Sequence, residues 1–203
     1  MTSSPTQRPA SRERLLDAAV ELLRVKGPTA SGTKEILTRA DAPRGSFYFH
    51  FPDGKDQLVA EAVQRAGAAT RASLETALAD RSVALPQRIE SFFEAVAGGV
   101  VADDYQLGCA VGATVLEAAA TTAVLRSATE SVFASWTSTL VDVLSAEGLT
   151  SDRAAALADT VVAALEGATM LARSRRDPAP LLHVAGTLSA LVTMRLDEAA
   201  RAT

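Results

Sequence analysis

A chain of 203 residues is long enough to bury a sizeable core, and its abundant alanine, 4% aromatics and few β-branched runs favour an all-α protein. The single cysteine, Cys109, excludes an internal disulfide framework and suits a reducing cytoplasm; no uninterrupted apolar run reaches the ~18 residues of a membrane span, and MTSSPTQRPASRER lacks the apolar stretch of a secretory signal. The net charge of −4 argues against a nucleic-acid partner until it is located: residues 1–60 hold nine Lys/Arg against seven Asp/Glu, residues 61–203 eleven against seventeen.

Residues 1–11 are polar, with Pro5 and Pro9, and read as a flexible arm. Arg8, Arg12 and Arg14 make it either a DNA-contacting arm or a solvated tail. Ser11 is an N-cap candidate for a helix over 12–26, where Leu15, Leu16, Ala19, Leu22 and Leu23 mark one face. Gly27-Pro28 stops that helix. A second helix is expected over 33–40, with Thr33 in its first turn and an apolar face of Ile36 and Leu37. Asp41-Ala42-Pro43 forms a turn, because Asp tolerates the left-handed region. A third short helix starts at Arg44-Gly45-Ser46, and Pro43 suits its entry. Two short helices joined by three or four residues have helix-turn-helix spacing, whose second helix reads the major groove. Spacing alone equally suits an ordinary helical hairpin plugged by Phe47, Tyr48, Phe49 and Phe51.

The run Arg44-Gly45-Ser46-Phe47-Tyr48-Phe49-His50-Phe51-Pro52, followed by Gly54, Lys55 and Leu58, resembles the recognition-helix signature of TetR-family transcriptional regulators. The likeness extends upstream to Arg14–Ala19 and Gly27. The resemblance implies an N-terminal three-helix helix-turn-helix domain at 12–55, after an arm at 1–11. It implies a larger C-terminal ligand-binding and dimerisation domain at 56–203. It implies DNA contacts by Thr33, Lys34, Arg44, Gly45, Ser46, Tyr48, Phe49, His50 and Lys55, with Arg39 a further phosphate candidate and Phe47 and Phe51 in the core. Three residues depart from the pattern: Asp41 for a turn Gly, Pro43 for a capping Ser or Thr, and Phe49 for Tyr or His. These alter affinity and sequence preference rather than abolish DNA binding.

Pro52-Asp53-Gly54 reads as a turn, and Lys55 opens a helix to about residue 79. A cation at that end opposes the helix dipole by a few tenths of a kcal/mol unless an anion neutralises it. The helix presents Leu58, Val59, Ala62, Ala66 and Ala69, a thin alanine face along which it could slide. Pro86 opens a helix through Phe92, Phe93 and Val100, loosened at Gly98-Gly99. Asp103-Asp104 is expected to begin another, carrying LGCAVGATVLEAA. That run, with the FPxGK form at 51–55, resembles one TetR branch of regulators of drug-export and small-molecule-response genes. Residues 122–146 form a wide apolar stripe, Ser151 caps a helix through Leu171, and a loop at 173–178 leads to a last helix from Pro180. The last two helices pair with their copies in the family's homodimer, and an unpaired stripe would be an unusual exposed patch.

No phosphate-cradling loop, paired cysteine or HExxH occurs, and His50 and His183 lack nearby carboxylates, so neither cofactor nor metal is expected. Phe92, Phe93, Cys109, Thr114, Glu117, Phe133, Trp136 and Met170 are candidates to line an effector pocket, or plain core. Glu117 stands out as a carboxylate in need of a partner. The expected protein is a ligand-responsive repressor on a palindromic operator, released by a small molecule. A helical adaptor and a helical-bundle enzyme are the rivals; the second requires a catalytic cluster that the sequence does not offer.

Overall fold

The computed structural model describes residues 11–202; the expected arm and Arg8 lie outside them. Those residues are helical, with no strand among them. Helix α1 (Ser11–Ala30) is broken at Gly27, whose φ of 72° and ψ of 175° only glycine adopts at low cost. Pro28 then begins a single further turn. Helices α2 (Thr33–Arg39) and α3 (Arg44–His50) follow. Asp41 between them adopts φ 46°, the left-handed turn expected of it. Gly54, at φ 85°, shapes the turn into α4 (Lys55–Leu78).

Helix α5 spans Leu85–Ala102, with Pro86 in its first turn. The expected helix start at Asp103-Asp104 is not found. Asp104 and Tyr105 take positive φ of 50° and 59° and carry the chain out of α5 as a non-helical strap. The helix resumes only as α6 (Ala110–Thr114) and widens into a π-helical turn at Val115–Ala119. Helices α7 (Ala123–Ala146), α8 (Ser151–Arg175) and α9 (Ala179–Ala202) complete the fold. Thr150, not Ser151, precedes the first turn of α8. The loop expected from Arg173 starts only at Arg176, in the left-handed conformation.

Two apolar cores divide the molecule. The first joins Leu15, Leu23, Ile36, Phe47, Phe51 and Leu58 to residues of α6 and of α7 as far as Trp136. The second joins the ends of α4 and α7 to α5, α8 and α9. Helix α4 belongs to both. At its middle, a side chain on Gly67 would run into Val132, and the Gly67 carbonyl accepts the Trp136 indole N–H at 2.9 Å. The absent side chain lets α7 approach closely, so α4 is pinned to α7 there rather than free to slide along its alanine face.

Candidate nucleic-acid interface and internal cavity

A seven-residue helix is not stable alone. Helix α3 is held by Phe47 and Phe51, 2% and 0% exposed, each contributing about 1.5–3 kcal/mol by burial. The same residues turn the opposite face outward, leaving Tyr48 70% and Phe49 81% exposed. Arg44 and Gly45 are exposed beside them, and Lys34 is exposed on α2. Among the described residues, neither Arg44 nor Lys34 has a carboxylate partner. Cations around two bare rings are a surface shaped for something other than water.

Other expected contact residues are turned inward. His50 is half-buried, its Nε2 2.8 Å from the Ser11 hydroxyl, so Ser11 ties α1 to α3 rather than capping α1. Ser46 Oγ is buried and unpartnered among the described residues. Lys55 donates from Nζ to the Pro28 carbonyl at 2.7 Å, closing the turn after Gly27. Thr33 is half-buried in the first turn of α2. Arg12 pairs with Glu61 and covers the Phe51 ring, while Arg14 donates to the carbonyls of Ala40 and Asp41. Arg39 is held by Glu21, whose carboxyl the pairing keeps below its usual value.

Behind this unit lie two adjoining cavities of about 290 and 310 Å³. The first is walled chiefly by α4, α5, α8 and Trp136; the second opens beneath the end of α1. Arg24, Gly108, Cys109, Glu166 and Thr169 border both. The strap at 103–109 is bound to α1 here. Gly108 N–H donates to the Arg24 carbonyl at 2.8 Å, Arg24 Nε returns a bond to the Gly108 carbonyl, and Arg24 pairs with Asp103 at 3.2 Å. From the π-helical turn, Glu117 accepts the Thr29 N–H at 2.9 Å, and its carboxylate fills the space a side chain on Gly27 would need. One cavity wall therefore grips the last turns of α1.

Residues 15–62 match the family described as bacterial regulatory proteins, tetR family. Residues 86–187 match the transcriptional regulator LmrA/YxaF-like C-terminal domain. The chain belongs to the TetR family. It is 32% identical over 197 residues to the HTH-type transcriptional regulator Rv0196 of Mycobacterium tuberculosis, covering 94% of this chain and 98% of that one. To the HTH-type transcriptional regulator LmrA of Bacillus subtilis it is 28% identical, over 90% and 96% of the two chains. The crystal structure of regulatory protein TetR from Rhodobacter sphaeroides superposes with a TM-score of 0.79 at 26% identity, covering 89% and 97%. The family resemblance drawn from residues 44–52 is borne out, and with it a non-enzymatic transcriptional regulator.

Within this TetR fold the candidate pocket residues divide. Cys109 and Trp136 line the first cavity; Cys109, Glu117 and Met170 line the second. Phe92 and Phe93 are instead packed in the distal core, 3% and 0% exposed. Thr114 is fully buried, its hydroxyl donating to the Ala110 carbonyl. Phe133 lines neither cavity and stands edge-on to Trp136. Glu117 sits in no apolar stripe; it is exposed, and its partner is the α1 backbone. The residue that sequence reading missed is Glu166. It follows Val162 and precedes Thr169 and Arg173 at helical spacing, inside a run otherwise read as an apolar stripe. A carboxylate at that place in the stripe was the available signal. Burial raises its carboxyl above the usual 4.5, although the neighbouring Cys109 thiol pulls the other way. Burial, then the charge of Glu166, pushes the Cys109 thiol up to about 12, so it stays protonated at neutral pH. Among the described residues no three His, Cys, Asp or Glu side chains are placed to hold a metal ion.

Proposed function

We propose that this TetR-family regulator is a dimeric, ligand-responsive repressor that leaves its operator when a small molecule enters the cavity at Cys109 and Glu166. The observation that carries the reading is that the cavity wall and the support of the DNA-reading unit are the same residues. Arg24, Gly108 and Glu117 border the cavities and also hold α1. Lys55, at the start of α4, holds the same turn through Pro28. A molecule that displaces the strap or the π-helical turn shifts the end of α1, and α3 moves with it through the core of Phe47 and Phe51. A coupling of about 1–3 kcal/mol suffices.

On DNA, α3 enters the major groove with Tyr48 and Phe49 leading. Arg44 and Lys34 meet phosphates, and Thr33 offers its hydroxyl and backbone N–H at the start of α2. His50 and Ser46 position α3 rather than read bases, since their polar atoms face inward. The domain boundary near residue 55 separates DNA reading from sensing, although the two share one core. The outer faces of α8 and α9, with Met170, Leu171, Leu182 and Met194 about half exposed, meet their copies in a second subunit. The regulator works in the cytoplasm, with the DNA.

Footprinting on the DNA that flanks the chain's own coding region tests this. The expected result is protection of two inverted half-sites about 34 Å apart or a multiple of that. Uniform protection with no preferred sequence would reject operator recognition.

A further inference from the structure

We propose that the ligand of this cavity is an apolar or aromatic molecule bearing a protonated basic nitrogen, and that Glu166 binds that nitrogen. The inference rests on the reading of the cavity as the effector site. Of the other charged side chains on the cavity walls, two are in ion pairs and two are held by backbone groups. Arg24 is taken by Asp103 and the Gly108 carbonyl, and Lys26 by Glu35. Glu117 accepts the Thr29 N–H, and Arg173 donates to the carbonyls of Tyr105 and Gln106. Glu166 makes no ion pair among the described residues. The Cys109 thiol, which borders the same cavities, is uncharged and a weak donor.

A side chain on Gly112 would stand 2.5 Å from Glu166 Oε2, so the bare Cα there leaves the carboxylate its present space. Glu166 borders both cavities, where a ligand extending into either one can reach it. Burial already disfavours its charged form, and the thiol beside it cannot supply a positive charge. A ligand ammonium supplies one, together with two or three strong donors. An anionic ligand would meet the same carboxylate at a distance where like charges repel. The rest of the first cavity is mostly apolar, with Val96, Val100, Leu107, Val111, Trp136 and Leu165 outweighing Thr70, Ser73 and Thr169, and selects a hydrocarbon or aromatic body.

Three probes that share one body separate the possibilities: phenylbutylamine, phenylbutanol and phenylbutyrate. Binding to the full chain is read from the fluorescence of Trp136, the lone tryptophan, which lines the cavity. The expected order is amine at least about tenfold tighter than alcohol, the margin of a charge-assisted over a neutral hydrogen bond, with butyrate weakest. In Glu166→Gln the amine and alcohol bind within about twofold of each other, and the alcohol affinity is unchanged. Equal binding in the native chain, preference for butyrate, no binding of any probe, or an amine preference that survives Glu166→Gln overturns the proposal. Operator affinity is measured in parallel with the amine at saturation. Amine binding that leaves operator affinity unaltered upholds the amine site and rejects the effector reading beneath it.

Discussion

At the scale of single residues, the interface and the cavity both turn on where a charge finds its partner. Lys55 is the clearest case at the interface. Its amine donates one hydrogen bond to Pro28, which leaves two donors free for a phosphate. If it meets DNA, Lys55→Ala should weaken binding to specific and random sequence alike and lower the salt slope by about one. It should also cost about 1 kcal/mol of stability through the unsatisfied Pro28 carbonyl. A stability loss with an unchanged salt slope would leave Lys55 a purely internal brace. In the cavity, Glu166 makes stability depend on pH in a stated direction. Its folded carboxyl titrates above the usual 4.5. Its contribution is therefore fully present below that value and lost as pH rises through the folded one. Glu166→Gln has no such loss. Urea unfolding should find the two proteins equal near pH 4 and the variant more stable at pH 8; parallel curves would refute the burial assigned to Glu166.

At the scale of elements, the unit α1–α3 was legible because its signals are local. Gly27, Pro28, Asp41, Pro43 and Gly54 each set a turn within a few residues, and the aromatic run supplies both the buried and the bare faces of α3. The strap at 103–109 was not legible. Its local sequence, two aspartates before an apolar run, is a fair helix start. What ends the helix is Arg24, bonded to Asp103 and Gly108 across about eighty residues of chain. Glu166 was hidden for a related reason: on sequence it is one more helical glutamate, and its burial depends on how α8 crosses the strap. Glu117 was singled out for the wrong surroundings, since its partner lies on α1. That partnership gives a prediction about coupling. Glu117→Ala frees the Thr29 N–H and loosens the π-helical turn from α1. Operator binding should persist within a few fold, while the change caused by a cavity ligand shrinks. Gel-shift titrations with and without ligand measure both, and an undiminished ligand effect would exclude Glu117 from the coupling.

At the scale of the whole molecule, the last two helices are the conspicuous feature. Stretches of α8 and α9 have mean hydropathies of 1.4 and 1.3, and 33% and 28% of those stretches is buried within the subunit. By length and composition alone such helices could cross a membrane. On the dimeric reading proposed above, this exposed apolar area is the surface a second subunit covers. Sedimentation at micromolar concentration should then give about twice 21.1 kDa. A monomer would leave the area uncovered and deprive the protein of the two recognition helices that a paired half-site needs.

On the proposed function, ligand and operator oppose each other through one dimer. Fluorescence anisotropy of a labelled operator, titrated with the full chain in the presence and absence of a saturating cavity ligand, measures that opposition. The predicted result is an operator Kd raised about 5- to 150-fold, the range of a 1–3 kcal/mol coupling. The same ligand should bind the operator complex more weakly than the free protein, by the same factor. A ligand that binds the cavity equally well in both states, with operator affinity unmoved, would contradict the claim.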